Sequence, residues 1–109
     1  VLYPGLENHP GYEINKAQTT GFGGMISFAV DSAETARQIL EGVKLIKFAE
    51  SLGGTESLIT YPIRQTHTDL TAEECAEKGI TDCLLRFSTG IEATQDLIDD
   101  LAQAFAAIE

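Results

Sequence analysis

Apolar and polar positions follow two different rhythms along the chain, and together they divide it into seven elements behind an N-terminal arm. Over 25–30, Met25, Ser27 and Ala29 alternate with Ile26, Phe28 and Val30. A period of two predicts a strand with one face buried. From Asp31 the period lengthens. Ala33, Ala36, Ile39, Leu40 and Val43 fall on one helical stripe, predicting a helix over 31–42. Asp31 followed by Glu34 has the form of a capping box, and Gly42 suits the stop. Apolar runs at 44–49 and 57–61 predict two more strands, the second ended by Pro62, which has no N–H to give a ladder. Residues 63–69 read as a polar connection. A helix over 71–78 carries a full set of signals: Thr71 with Glu74 as a capping box, Leu70 and Cys75 at the hydrophobic-staple positions, and Gly79 at the end. Residues 83–89 predict the fourth strand. The last helix, 94–107, would bury Leu97, Ile98, Leu101, Phe105 and Ile108, with Asp96, Asp99 and Asp100 elsewhere; Asp96 near its start complements the helix dipole.

Residues 1–12 hold two of the three prolines, two glycines and two tyrosines. Pro4-Gly5 predicts a turn. Pro10 predicts the first turn of a short helix running to Gln18, capped by Asn8 or His9 and burying Ile14 and Ala17. Residues 1–20 therefore read as a connecting arm. The remaining order, β-α-β-β-α-β-α, predicts one domain over 1–109. Its fold class is an α/β (α+β) sandwich: a small four-stranded, largely antiparallel sheet with helices on one face.

Composition narrows the partners. The chain has 109 residues, 43% of them hydrophobic, with net charge −10 and pI about 4.4. Such a balance repels phosphates and argues against a nucleic-acid partner. No apolar run approaches the roughly 20 residues that a membrane span needs. Val1-Leu2-Tyr3-Pro4-Gly5 carries no secretory pattern, and without an initiator Met the chain is expected to begin inside a longer protein or after processing. Two cysteines, Cys75 and Cys83, point to a reduced, cytoplasmic setting. His9 and His67 sit in no metal-ligand spacing, and no P-loop, Cys-x-x-Cys or His-Glu-x-x-His is present. Gly21-Phe22-Gly23-Gly24 precedes its strand, whereas a dinucleotide fingerprint follows one.

Two features carry candidate chemistry. The first is the loop Glu50-Ser51-Leu52-Gly53-Gly54-Thr55-Glu56 between two buried strands. Gly-Gly admits positive φ and close approach of other groups. A strand connection with local hydrogen bonds explains it as well as a site does. The second is Arg86, inside the apolar run Leu84-Leu85-Arg86-Phe87-Ser88. A buried guanidinium needs an anion, and its planar fork matches a carboxylate. An outward-facing arginine, or an internal ion pair to Glu50 or Glu56, remains the competing reading.

Taken together these stretches resemble one enzyme group. Glu50-Ser51-Leu52-Gly53-Gly54-Thr55-Glu56-Ser57-Leu58 resembles a loop of the pyridoxal-phosphate enzymes of cysteine and methionine metabolism. Tyr3-Pro4-Gly5-Leu6 with His9-Pro10-Gly11 looks like the opening of their C-terminal domain, and Gly21 to Phe28 like the strand that follows. Gln65-Thr66-His67 and Leu84 to Glu92 complete the likeness in order. Within the group, Glu50 before Ser51 and the run Ile59-Thr60-Tyr61-Pro62 look most like cystathionine γ-synthases, which join O-acylhomoserine to cysteine by γ-replacement. A cystathionine γ- or β-lyase domain is the nearest alternative. A free-standing amino-acid-binding regulatory module is another, and an interaction domain a third.

The resemblance implies the C-terminal domain of a fold-type I enzyme and a set of roles. Arg86 would grip the substrate α-carboxylate. Ser51 would lie near the bound amino acid, Glu50 would bear on reaction preference, and Thr66 would line the substrate end of the pocket. Such a clamp fixes the α-carbon for proton removal while the cofactor ring serves as electron sink. The implied partners are an amino-acid substrate, an N-terminal pyridoxal-phosphate domain and identical copies in a homotetramer. The departure is that Lys16, Lys44, Lys47 and Lys78 match no Schiff-base lysine. No cofactor and no turnover are therefore expected from the 109 residues alone.

Overall fold

The strand Leu84–Ser88 lies inside a four-stranded sheet, and its neighbours define both faces of the domain. The computed structural model describes residues 1–65 and 69–109. In chain order the elements are α1 (Tyr12–Gln18), β1 (Met25–Ala29), α2 (Ala33–Gly42), β2 (Lys47–Phe48), β3 (Leu58–Thr60), α3 (Pro62–Gln65), α4 (Ala72–Glu77), β4 (Leu84–Ser88) and α5 (Thr94–Ala106). The sheet order is β1-β4-β3-β2. β4 runs antiparallel to β1 and β3, and β2 pairs parallel with β3. The expected α/β architecture is present, with a mixed sheet.

Register assigns the faces. Ile26 and Ile59 flank Phe87, and Phe28 pairs with Leu85. These side chains share the core with Ala36, Ile39 and Leu40 of α2, Leu97 of α5, and Ile46. Ile39, Ile46, Ile59 and Leu85 are fully buried, each worth about 1.5–3 kcal/mol relative to exposure. Because strand side chains alternate, the next row falls on the opposite face: Ser27, Arg86 and Thr60 lie side by side across three strands. The arm lies along β1. Leu2 exchanges backbone hydrogen bonds with Ser27 at 2.7 and 3.1 Å, the Tyr3 hydroxyl donates to the Gly23 carbonyl at 2.9 Å, and Tyr12 stacks on Phe22.

Several expectations are corrected. β2 starts at Lys47 rather than at 44, because the N–H groups of Lys44, Leu45 and Ile46 are taken by the Asp100 carboxylate instead of a neighbouring strand. The cap of α2 is Ser32, not Asp31: its hydroxyl accepts from the Thr35 N–H at 3.1 Å. Glu34 turns to Arg37, which also pairs with Glu41. The cap of α1 is Gly11, and His9 contributes by accepting the Gly11 N–H on Nδ1 at 2.9 Å. No α1 residue is buried, so Ile14 and Ala17 do not form the expected contact face. Residues 62–65 are a helical turn, with Pro62 at its first position and the Gln65 side chain accepting the Tyr61 N–H at 2.7 Å.

On α5 the expected stripe is rotated. Leu97 is buried, but Ile98 and Phe105 are half-exposed, while Asp100 is 6% exposed. Ile98 and Phe105 line an open apolar groove of about 620 Å³ with Phe28 and Val30. α5 meets α2 closely at Gly42, where an added Cβ would stand 3.3 Å from the Ala104 Cβ. The α4 cap and stop hold, and Cys75 is buried. Thr71 and Glu74 close the capping box. The end is a Schellman motif, with the Ile80 N–H donating to the Cys75 carbonyl, the Gly79 N–H to the Ala76 carbonyl, and Gly79 at φ +73°. Among the described residues no helix is long and apolar enough to cross a membrane, and no cluster of metal-ligating side chains occurs.

Candidate functional site

Arg86 is held on β4 between Ser27 and Thr60. Residues 50–57 arch over the end of the same strand. The two are joined at Ser51: Arg86 Nη2 donates to the Ser51 carbonyl at 3.4 Å, a long contact. Arg86 Nε is buried and has no hydrogen-bond partner among the described residues. The ion pairs found among these residues are those of Arg37, so Glu50 and Glu56 do not neutralise Arg86 as the competing reading required. A guanidinium with an unmet donor has the charge and the planar geometry to take an anion at its fork.

The loop is fastened to the stretch that follows Arg86. The Gly53 N–H donates to Ser88 Oγ at 2.9 Å, and the Ile91 N–H to the Thr55 carbonyl at 3.0 Å. Glu92 takes two donors from one residue, the Ser57 N–H at 2.9 Å and the Ser57 hydroxyl at 2.8 Å. Ser57 Oγ in turn accepts the Gly90 N–H at 2.8 Å. The Ser57 N–H, the Glu92 N–H and the Ser57 hydroxyl hold the Glu92 carboxyl below the usual carboxylate range. Gly53 sits at φ +72°, which its glycine allows without strain. At Gly90 a Cβ would stand 2.3 Å from the Thr55 carbonyl oxygen, so the two segments approach this closely only with glycine there. The start of the loop is tied by the buried Thr60, whose hydroxyl donates to the Ala49 carbonyl at 2.8 Å.

Of the four residues expected in the site, Arg86 and Ser51 meet directly. Glu50 is the exposed neighbour of Ser51. Thr66 lies outside the described residues. Sequence reasoning passed over Ser57, Ser88 and Glu92. Their signal was hydroxyls at strand ends and a carboxylate just past a glycine turn, none of it specific without the fold.

Comparison with known proteins decides the family. Residues 1–106 match the family model described as Cys/Met metabolism PLP-dependent enzyme. The chain belongs to this family. It is 51% identical to the cystathionine gamma-lyase of Bacillus subtilis over 108 residues, covering 99% of this chain and 28% of that protein. The fold superposes on cystathionine gamma-lyase from Lactobacillus plantarum complexed with L-serine with TM-score 0.91 and 42% identity, over 97% of this chain and 28% of that one. It superposes on cystathionine gamma synthase from Xanthomonas oryzae pv. oryzae in complex with cystathionine with TM-score 0.88 and 44% identity, over 95% and 27%. The chain thus spans little more than a quarter of the length of the relatives it matches.

The family implies pyridoxal phosphate, and the residues present do not fit a covalent hold on it. All four lysines are exposed. Lys16 Nζ lies over the Tyr12 ring, Lys78 is the C-cap of α4, and β2, with Lys47, is separated from β4 by β3. None belongs to the Arg86–Ser51 cluster. What the cluster offers is a planar donor edge with one unmet N–H.

Proposed function

We propose that this chain is the C-terminal substrate domain of a cystathionine γ-synthase, a cytoplasmic enzyme that joins O-acylhomoserine to cysteine by γ-replacement. The observation that carries the reading is Arg86, with a buried unpartnered Nε and a second nitrogen held only at 3.4 Å by Ser51. A substrate α-carboxylate satisfies both donors at once and replaces the long contact with charge-assisted hydrogen bonds. Ser51 then lines the bound amino acid, Glu50 biases the reaction, and Thr66 closes the far end of the pocket. The cofactor and its lysine come from an N-terminal domain of the same polypeptide, and identical subunits assemble as a tetramer. Held this way, the substrate presents its α-carbon in one orientation and saves the entropy of finding it.

A second reading is cystathionine γ-lyase, supported by 51% identity to two relatives of that name, from Bacillus subtilis and Dictyostelium discoideum. The full-length protein separates the two. Supplied with O-acetylhomoserine or O-succinylhomoserine and L-cysteine, it is expected to release the acid and form cystathionine. Cleavage of L-cystathionine with no synthesis from either ester overturns the synthase reading in favour of the lyase.

A further inference from the structure

We infer that Glu92, acting through Ser57, is the positioning residue that sets Ser51 at its working distance from Arg86. The inference rests on the amino-acid site proposed above and deepens it. Arg86 cannot shift alone, because β4 is paired on both sides at its position. Ser51 has no such frame. It is exposed and belongs to a loop with no ladder between β2 and β3. Its place relative to Arg86 depends on where the loop is fastened: before Ser51 by Thr60 at the Ala49 carbonyl, and after it by the chain just beyond Arg86, Ser88 to Gly53, Ile91 to Thr55 and Glu92 to Ser57.

Among these, Glu92 has the greatest hold. Both of its oxygens are committed to Ser57, and the Ser57 hydroxyl relays the contact to the Gly90 N–H. Ser57 is fully buried, so water does not easily replace the carboxylate. A charged acceptor meeting two donors is stronger than the neutral bonds at Ser88 and Thr55. The ends of the loop and the end of the arginine strand thus move as one body. Loss of Glu92 leaves Arg86 in place and lets the Ser51 side of the pocket drift. An amino acid then loses binding to a well-formed pocket more than it loses reactivity once bound.

The test uses the full-length, cofactor-loaded enzyme, with O-acetylhomoserine plus L-cysteine and L-cystathionine assayed separately, and hydrogen exchange read over 51–57. Glu92→Ala is expected to raise the amino-acid KM about tenfold with kcat changed less than about threefold. Exchange over 51–57 rises in the same variant. Glu92→Gln keeps one acceptor oxygen and restores most of both. A loosened loop with unchanged KM, or a raised KM with the loop still protected, overturns the inference. Arg86→Ala runs beside it: unchanged KM there overturns the proposed site itself, whereas a raised KM there with a normal KM in Glu92→Ala sinks only the positioning role. Should Glu92→Ala give no folded enzyme, Ser57→Ala, which removes the hydroxyl that links Glu92 to the Gly90 N–H, carries the same comparison. There too a loosened loop with unchanged KM, or a raised KM with the loop still protected, overturns the inference.

Discussion

Asp100 on α5 accepts the Ile46 N–H at 2.8 Å, across 54 residues of sequence. The same carboxylate takes the N–H groups of Lys44 at 2.8 Å and Leu45 at 2.9 Å, and the Gln103 amide donates to it at 3.0 Å. It works as a cap for a stretch of chain that has no helix, and it delivers that stretch into β2. Asp100→Ala leaves three donors short of an acceptor in a buried place, at a cost of about 3 kcal/mol. Urea unfolding followed by circular dichroism measures it. A midpoint within error of the parent shows that water replaces the carboxylate without loss.

Asp100 also makes acid stability predictable in sign. Burial pushes its carboxyl up, but the Ile46, Lys44 and Leu45 N–H groups and the Gln103 amide outweigh that and leave it below the ordinary value. A carboxyl that is more acidic folded than unfolded adds stability that is complete above the unfolded pKa, about 4. That stability is lost as pH falls through the lower, folded value. Asp100→Asn removes this titration. Its stability deficit is therefore expected to be constant from neutral pH down to about 4 and to shrink below it. Unfolding free energies at a series of pH values check this, and a deficit that grows on acidification contradicts it.

How much of this was legible follows from where each signal resides. Local signals were readable because their partners are a few residues away: the Thr71–Glu74 box, the Gly79 stop and the β1 alternation hold as expected. Signals whose partners are distant were not. Asp100 stands at helical spacing from Leu97 and Ala104, on the buried side of α5. The stripe expected for this helix left Asp100 off the buried face, and nothing in the sequence says that it serves 44–46. Those residues were read as strand from their apolar character, and their hydrogen bonds went elsewhere. Arg86 was legible as a lone charge in an apolar strand. The clamp that fixes the loop against it was not, because Ser57, Ser88 and Glu92 become one network only through the β3–β4 pairing.

Gly79 and Gly90 are both glycine for different reasons, and the difference is measurable. At Gly79 nothing stands near an added Cβ, and the demand is purely the positive φ. Gly79→Ala is expected to cost about 1–2 kcal/mol, confined to α4 and its Schellman end. Thermal unfolding measures the cost. Hydrogen exchange localises it, and an effect spread over the sheet contradicts a purely local conformational demand.

At Gly90 the demand is space. A methyl group would meet the Thr55 carbonyl oxygen and the Glu56 backbone, which do not move as a side chain would. Gly90→Ala is expected to cost about 2–3 kcal/mol and to lift the loop from the end of β4. Its exchange signature therefore falls on 51–57 rather than on the glycine's own turn. Faster exchange at 89–92 with an undisturbed loop rules out the steric account.

Arg86 offers the sharpest separation of charge from shape. Its Nε is buried without a partner while Nη2 touches Ser51, so the two donors a carboxylate needs lie along one edge of the fork. Lysine keeps the charge but has no such edge. In the full-length enzyme, Arg86→Ala is expected to lower kcat/KM by the equivalent of about 2–4 kcal/mol, chiefly through KM. Arg86→Lys should recover the part due to charge alone, less than half of the loss in energy. Stability should move the other way: with no anion present, the wild-type fork buries an unmet donor, and its removal costs the fold little. Steady-state kinetics and unfolding on the same three proteins test both halves. A lysine variant with wild-type KM shows that the site reads only charge, and a large loss of stability in Arg86→Ala shows that Arg86 holds the fold rather than a ligand.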